Sequence, residues 1–388
     1  MRCLSGALVA LALFGCSDPE PPAPPPPAPS CPLDASNPRF VQIENVSNDL
    51  MVARRSDGTL WCWGFDDMGV CGGGSFPWAQ PSDVDCVSDF SVDGFAVAQH
   101  PDGSLTVWGG STTFVYGEDP ALELLDLPAE VVEVTAGGGN LLVLDESGTA
   151  WFRGMIGFSW RYGDSLDSRE GLSPLPFAAG ARRLGRGWAP CAIYGDGHAE
   201  CMGYQEDGQF GIPELDAARE PVALAIDGFI KDLISTRSTC AITDPEGDLF
   251  CAGDNSYGQL GSEWTYEPQA HFAKVEGVPP ADAVKFGAEI FNTCMVAKGE
   301  VWCWGANGFG AIHPSNQGTV LPTRVEPFDD VVDFGLSTFT LCVLREDGSL
   351  WCRGDLRAAT AAKASTGPRS ASRSAGRSDA ARPCPLQP

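Results

Sequence analysis

The stretch Phe250-Cys251-Ala252-Gly253-Asp254-Asn255-Ser256-Tyr257-Gly258-Gln259-Leu260-Gly261 contains the clearest copy of a motif that recurs along this chain. Its first part, a short apolar segment that ends in glycine, is found seven times, with the final glycines 45 to 52 residues apart. These glycines are Gly64, Gly109, Gly154, Gly203, Gly253, Gly305 and Gly354. A period of that size matches one four-stranded blade, so the sequence predicts an all-β, seven-bladed β-propeller over residues 38–355.

A hairpin turn precedes each of these segments. The turn residues are Asp57-Gly58, Asp102-Gly103, Ser147-Gly148, Asp196-Gly197, Glu246-Gly247, Lys298-Gly299 and Asp347-Gly348. Glycine adopts positive φ without strain, and aspartate bonds its own turn backbone, so both are typical of tight hairpins. We therefore assign the aspartates to turns rather than to catalysis.

Four of the predicted hairpins carry a cysteine on each arm. The pairs are Cys191 and Cys201, Cys240 and Cys251, Cys294 and Cys303, and Cys342 and Cys352. Each pair is symmetric about its turn, which places its members opposite each other at Cα separations of roughly 4.5 to 5.5 Å. That distance suits a disulfide. Cysteines spread one pair to a blade cannot converge as zinc ligands, so we predict four intra-blade disulfides.

The pairing of the other cysteines stays open at this point. Cys62 is expected to face Val52 and therefore has no partner of the same kind. The remaining candidates are Cys31, Cys71, Cys86 and Cys384. Together with Cys62 they make five, an odd number for a secreted chain.

Longer copies of the motif resemble a known repeat. The segments 203–211 and 253–261, with a partial copy at 305–310, resemble the repeat of the regulator of chromosome condensation family. The resemblance implies a seven-bladed propeller, although blades two and three match it poorly. Family members are nuclear guanine-nucleotide exchange factors, and a bacterial relative inhibits β-lactamases. The resemblance therefore implies a propeller that binds proteins.

The N-terminus has the architecture of a secretion signal. Arg2 is followed by a short apolar run that ends in Leu13-Phe14-Gly15-Cys16, which resembles a bacterial lipobox. We predict a signal peptide over residues 1–15, a lipid on Cys16 and a proline-rich linker over 16–37. The expected location is the bacterial cell envelope, outside the cytoplasm, and Ser17 is typical of sorting to the outer membrane.

The last segment, residues 356–388, differs from everything before it. It holds five arginines and one lysine against one aspartate, and it has no strand pattern. Two explanations stand: a disordered basic tail, or a shifted reading frame near residue 356. Either leaves the seventh blade without its outer strand.

The composition and the absence of known catalytic motifs limit the classes of function that we expect for this chain. A formal net charge of −26 excludes a phosphate-binding body, so we expect no nucleic-acid partner. The four histidines show no metal-ligand spacing, and no nucleophile, zinc or phosphate-loop motif is found, so we assign no catalytic residue, metal or cofactor. The segments after the blade glycines are aromatic. Packing between blades is the more frequent role for any one such side chain, but aromatics also dominate interface hot spots. They include Phe65, Phe76, Trp78, Phe114, Tyr116, Phe158, Trp160, Tyr162, Trp264 and Tyr266.

The expected function is therefore binding. We predict a lipid-anchored propeller that is not an enzyme and that binds an unidentified protein partner or another envelope component. The alternative is a carbohydrate-active lyase or hydrolase that uses carboxylates of the propeller. Acidic residues are too numerous here for the sequence to test that alternative.

Overall fold

The computed structural model describes most of the predicted propeller. The described residues are 31–46, 50–66, 68–110, 123–125, 130–158, 165–177, 179–286, 291–307, 310–313, 318–337, 340–354 and 382–383. The signal peptide, Cys16, most of the linker and nearly all of the tail lie outside them.

The described chain forms 28 strands, which make seven four-stranded antiparallel blades in sequence order. The first strands of blades four and five also pair in parallel over two residues, which joins these two blades into one eight-stranded sheet. Blade one holds β1 (Phe40–Val46), β2 (Leu50–Arg55), β3 (Leu60–Asp66) and β4 (Gly74–Pro81). Blade two holds β5 (Asp89–Val92), β6 (Ala96–Gln99), β7 (Leu105–Trp108) and β8 (Glu123–Leu125). Blade three holds β9 (Val131–Gly137), β10 (Asn140–Asp145), β11 (Ala150–Phe158) and β12 (Ser165–Pro174). Blade four holds β13 (Ala181–Gly187), β14 (Cys191–Tyr194), β15 (Ala199–Tyr204) and β16 (Ala217–Ala223).

Blade five holds β17 (Phe229–Ser235), β18 (Ser238–Asp244), β19 (Asp248–Gly253) and β20 (Gln269–Lys274). Blade six holds β21 (Ala283–Phe286), β22 (Asn292–Ala297), β23 (Glu300–Ala306) and β24 (Thr319–Arg324). Blade seven holds β25 (Val331–Leu336), β26 (Thr340–Arg345), β27 (Leu350–Gly354) and β28 (Arg382–Pro383). The first strand of each blade packs against the first strand of the next, so the seven-bladed prediction is confirmed.

The hairpin register agrees with the cysteine argument. Each predicted pair is directly opposed on the second and third strands of its blade. All four pairs form disulfides, with Cα separations of 4.0 to 4.2 Å, slightly below the expected range. The intra-blade disulfides are therefore confirmed.

Blade one uses a different staple. Cys62 faces Val52, as expected, but its sulfur bonds Cys71 in the connection to the outer strand, at a Cα separation of 6.5 Å. Cys31 and Cys86 are disulfide-bonded as well. The Cys62–Cys71 disulfide joins a loop to a strand, whereas the four intra-blade disulfides join neighbouring strands.

The hydrophobic core lies between the blades. Phe334, Leu336 and Leu341 of blade seven pack with Val301 and Ile312 of blade six, and each is at most 1% exposed. Burying one such side chain stabilises the fold by about 1.5–3 kcal/mol. An equivalent apolar cluster lies between each pair of neighbouring blades.

The ring closes between blades one and seven by packing and by hydrogen bonds. Ile43 of β1 packs with this interface, and its N–H donates to Asp333 Oδ2 at 2.9 Å. The N–H of Leu336 donates to Asn45 Oδ1 across the same junction. We expected the edge of blade seven to be open, but β28 pairs with β27 over two residues. Whether the rest of the tail is native sequence stays a prediction.

Candidate binding face

The two ends of the propeller are built from different connections. The Asp-Gly type hairpins join second to third strands at one end, which we name the turn face. The longer connections between third and fourth strands, which follow the repeat glycines, lie at the opposite end, which we name the loop face. Loops usually carry the function of a scaffold, so the loop face is the first candidate site.

On the turn face the aspartate side chains accept hydrogen bonds from residues of their own turns. Asp102 Oδ1 accepts hydrogen bonds from the N–H and hydroxyl of Ser104, and Asp347 Oδ1 accepts one from the N–H of Ser349. Hydrogen bonds from the hydroxyl and then from the N–H of the serine two residues further on lower the pKa of both carboxyls. The glycines of all seven turns have positive φ. The aspartates are thus held in the turns to which the sequence assigned them.

The loop of blade five, residues 254–268, is organised by one buried amide. Asn255 Oδ1 accepts the N–H of Leu260 at 3.1 Å, and its Nδ2 donates to Ser262 Oγ and to the carbonyl of Glu263. The Asn255 carbonyl accepts the N–H of Thr265. Asn255 therefore holds the two halves of the loop together through its side chain and its backbone carbonyl.

The same position organises three other loops. Two residues after the repeat glycine, Gln205 and Asn307 accept backbone N–H groups in blades four and six. In blade one the position is Asp66, whose carboxylate accepts the N–H groups of Val70, Cys71 and Gly73. The polar residue after the repeat glycine therefore has a structural role, which explains why the motif recurs.

Aromatic side chains stand out from the blade-five loop. Tyr257 is 41% exposed, Trp264 51% and Tyr266 81%, and they are the exposed aromatics among the large exposed apolar side chains of the described chain. Trp264 and Tyr266 meet edge to face at 5.2 Å, and Tyr257 packs against Phe291 at 4.4 Å. We name these four residues the aromatic patch.

The outcome for the aromatics singled out in the sequence is mixed. Trp264 and Tyr266 are exposed on the loop face, whereas Phe65 is only partly exposed. Tyr257 and Phe291 were not among those candidates, although Tyr257 lies within the clearest copy of the repeat. The other candidate side chains lie outside the described part of the structure: Phe76, Trp78, Phe114, Tyr116, Phe158, Trp160 and Tyr162.

The central channel contains a second group of polar residues. A cavity of about 90 Å³ at its loop-face end is lined by Glu44, Asp93, Arg186, Lys285 and further residues of the inner strands. Arg186 Nη2 bonds Asp232 at 2.7 Å. The Lys285 ammonium donates to Asp333 Oδ1 and to the carbonyls of Ile43 and Phe334. The cations of the channel are therefore already engaged.

The channel carboxylates join one blade to the next. Glu44 Oε2 accepts the N–H of Val92 in blade two, and Asp93 Oδ2 accepts the N–H of Gly138 in blade three. Burial raises the pKa of Glu44 to about 7, partly opposed by the charge of Lys285 and by the Val92 bond. Burial also raises the pKa of Asp93. These clamps were not predicted from the sequence, although each carboxylate lies in or directly after the first strand of its blade.

The described residues contain no cluster of three or more His, Cys, Asp or Glu side chains placed to hold a metal ion. In the same part of the chain, no helix has the length and apolar character needed to cross a membrane.

Part of the chain is similar in sequence to known proteins. No family model matches the chain. The human E3 ubiquitin-protein ligase HERC2 is 26% identical over 196 residues, which cover 47% of this chain and 4% of that protein, and mouse HERC2 is 25% identical over the same span. The chain therefore corresponds to a small part of these relatives.

Solved structures establish the fold. Yeast RCC1 (Prp20) bound to Kap60 has a TM-score of 0.63 at 13% identity, covering 81% of this chain and 80% of its own. Prp20p of Saccharomyces cerevisiae alone gives 0.65 at 13% identity, with coverage of 81% and 82%. Human WBSCR16 gives 0.64 at 16% identity, with coverage of 81% and 89%. The resemblance to the regulator of chromosome condensation repeat is confirmed at the level of the fold.

Proposed function

We propose that this chain is a protein-binding module of the bacterial cell envelope whose partner docks on the loop face at blade five. The observation that carries the proposal is the aromatic patch. Large exposed aromatics are costly for a secreted protein unless a partner covers them, and Trp and Tyr are enriched at interface hot spots.

Rigidity supports the proposal. The loop that presents Trp264 and Tyr266 is fixed by the Asn255 hydrogen bonds and follows a strand stapled by the Cys240–Cys251 disulfide. A surface that is already ordered loses little conformational entropy when it binds. The blade-five loop thus has both the side chains and the stiffness that a docking site needs.

The structural neighbours support the class of function. Yeast RCC1 has been solved in complex with Kap60, and its binding to Gsp1p and histones has been described. A propeller of this fold can therefore present a surface to other proteins. We expect the partner of the present chain to be a component of the envelope or its surroundings, because the envelope is the proposed location of the chain.

The proposed location is outside the cytoplasm, with a lipid on Cys16 as the anchor and residues 16–37 as a spacer. The disulfides support this location, because such bonds persist in oxidising compartments. The net charge of −26 favours a lipid over surface charge as the means of attachment, since anionic membranes repel an acidic body.

Affinity capture from envelope extract tests the proposal with matched variants. The full chain and its Val332→Ala variant are expected to recover the same protein, because Val332 is an exposed apolar residue on the first strand of blade seven, two blades away from the blade-five loop. The double variant Trp264→Ala/Tyr266→Ala should lose that protein. Equal recovery by all three chains would remove the aromatic patch from the function.

The enzymatic alternative is tested in the same material. The channel carboxylates Glu44 and Asp93 already accept backbone hydrogen bonds from neighbouring blades, which supports a structural role for them. Incubation of the chain with envelope polysaccharides is therefore expected to release no new reducing ends or unsaturated products. Turnover that depends on Glu44 or Asp93 would favour a lyase or hydrolase instead.

A further inference from the structure

The aromatic patch lies in an acidic part of the molecule. Residues 238–273 contain no lysine or arginine. Glu263 and Glu267 flank the Trp264–Tyr266 pair in sequence, and both are exposed. The charged side chains close to the patch in sequence are therefore carboxylates.

The neighbouring loop of blade four adds to the negative charge. Its exposed carboxylates include Glu214 and Asp216. The cation between the two loops, Arg237, is engaged on both sides, by Asp207 at 3.0 Å and by Asp254 at 3.1 Å. The described loops of blades four and five thus offer carboxylates and aromatic rings, and the arginine between them is already paired.

From this combination we infer that the aromatic patch binds a lysine- or arginine-bearing segment of the protein partner. The inference rests on the proposed function and adds the chemistry of the partner. An aromatic face attracts a cation within about 6 Å, tryptophan most strongly. Carboxylates beside the rings pair with the same cation, and the acidic field speeds its approach.

The arrangement suits a cationic side chain better than a neutral one. Trp264 presents about half of its surface, so a guanidinium can stack on its ring while its donors reach Glu263 or Glu267. A neutral sugar could stack on the Trp264 ring but could not form an ion pair with the carboxylates beside it. An acidic segment would be repelled, which makes the patch selective as well as attractive.

A matched pair of peptides tests the inference. The full chain, in detergent and labelled with 5-fluorotryptophan, is titrated with acetyl-Gly-Arg-Gly-Arg-Gly-Arg-Gly-amide and with the same peptide carrying citrulline, which keeps the shape of arginine without its charge. The ¹⁹F resonance of Trp264, assigned from its loss in Trp264→Phe, reports binding. We expect this resonance to shift with the arginine peptide. We expect the chain to bind the citrulline peptide about two- to five-fold more weakly.

Charge variants separate the patch from the general field of the protein. Glu263→Gln/Glu267→Gln should weaken the arginine peptide several-fold and flatten its salt dependence. Glu246→Gln/Glu276→Gln makes the same two-charge change at exposed positions on the turn face of blade five and should leave the affinity unchanged.

Three results would overturn the inference. They are equal affinity for the two peptides, no shift of the Trp264 resonance with either, and a shift with a neutral oligosaccharide such as cellohexaose instead. None of them touches the proposed function by itself. If the Trp264→Ala/Tyr266→Ala chain still loses its captured partner, protein binding stands and only the cationic chemistry of the partner is wrong.

Discussion

Replacing Trp304 by phenylalanine tests how the loops lock neighbouring blades together. The Trp304 side chain is fully buried, and its Nε1 donates to the carbonyl of Gln259 in the blade-five loop at 2.8 Å. The same carbonyl also accepts the Thr293 hydroxyl at 2.7 Å. Phenylalanine removes one hydrogen bond without leaving that carbonyl unpaired, so the cost of the lost bond should be about 1 kcal/mol.

Trp63 supplies the matched control. It occupies the corresponding position in blade one, before a repeat glycine, and is 5% exposed. Its Nε1 is buried and has no hydrogen-bond partner in the described part of the chain. Trp63→Phe therefore removes the same ring volume but no hydrogen bond, and it relieves an unsatisfied donor.

The equivalent bond in blade two shows that the lock is a repeated feature. Trp108 Nε1 donates to the carbonyl of Val70 at 2.7 Å, and Val70 lies six residues after Gly64, as Gln259 does after Gly253. The lock is thus a bond from one blade's tryptophan to the preceding blade's loop.

The assay is thermal and urea unfolding of the two single variants beside the wild-type chain. Trp304→Phe should be less stable than Trp63→Phe by about 1 kcal/mol. For a chain of this size that difference corresponds to a shift of roughly 1 to 2 °C in Tm. Equal losses, or a larger loss for Trp63→Phe, would show that ring volume rather than the hydrogen bond sets the cost.

The remaining predictions concern disulfides, pH and the anchor. Cys294→Ser/Cys303→Ser should destabilise the chain by about 2 to 3 kcal/mol, because the loop that this disulfide closes is short. The β-sheet circular dichroism should persist. Recovery of either thiol in free form from the wild-type chain would contradict the pairing. Burial holds the pKa of Glu44 at about 7 in the fold against 4.5 as its ordinary value. The folded state therefore binds more protons than the unfolded state between these values, and stability should fall as pH rises from about 4.5 to 7. Glu44→Gln should flatten that slope in melts across this range, and an unchanged slope would assign it to other groups. The charged side chains that face it are Arg186, Lys285 and Asp333. Mass spectrometry should find diacylglycerol on Cys16 at the mature N-terminus, and Cys16→Ser should release the chain from membranes; an unmodified Cys16 would refute the anchor.

The fold followed from the sequence because its repeat is enforced by local chemistry. The turn glycines need positive φ, and the opposed cysteines specify which residues face each other. The disulfide of Cys62 could not be predicted in the same way. Its partner Cys71 lies in a loop, where no strand register indicates the distance between two residues.

The candidate site was only partly visible in the sequence. Trp264 and Tyr266 could be named, but so could many aromatics that follow repeat glycines, because exposure depends on how each loop folds. Tyr257 and Phe291 come from different connections and meet only in three dimensions. The clamps of the channel, such as Glu44 to Val92, likewise join blades that are 48 residues apart.

Site-specific photo-crosslinking tests the central claim most directly. p-Benzoylphenylalanine is placed at Tyr266, in the aromatic patch, and separately at Val332, an exposed position on the first strand of blade seven, in chains that are then irradiated in intact cells. Our account predicts a discrete crosslinked protein from position 266 and none from 332. A crosslink from 332 alone, or none from either position, would contradict a docking site on the loop face of blade five.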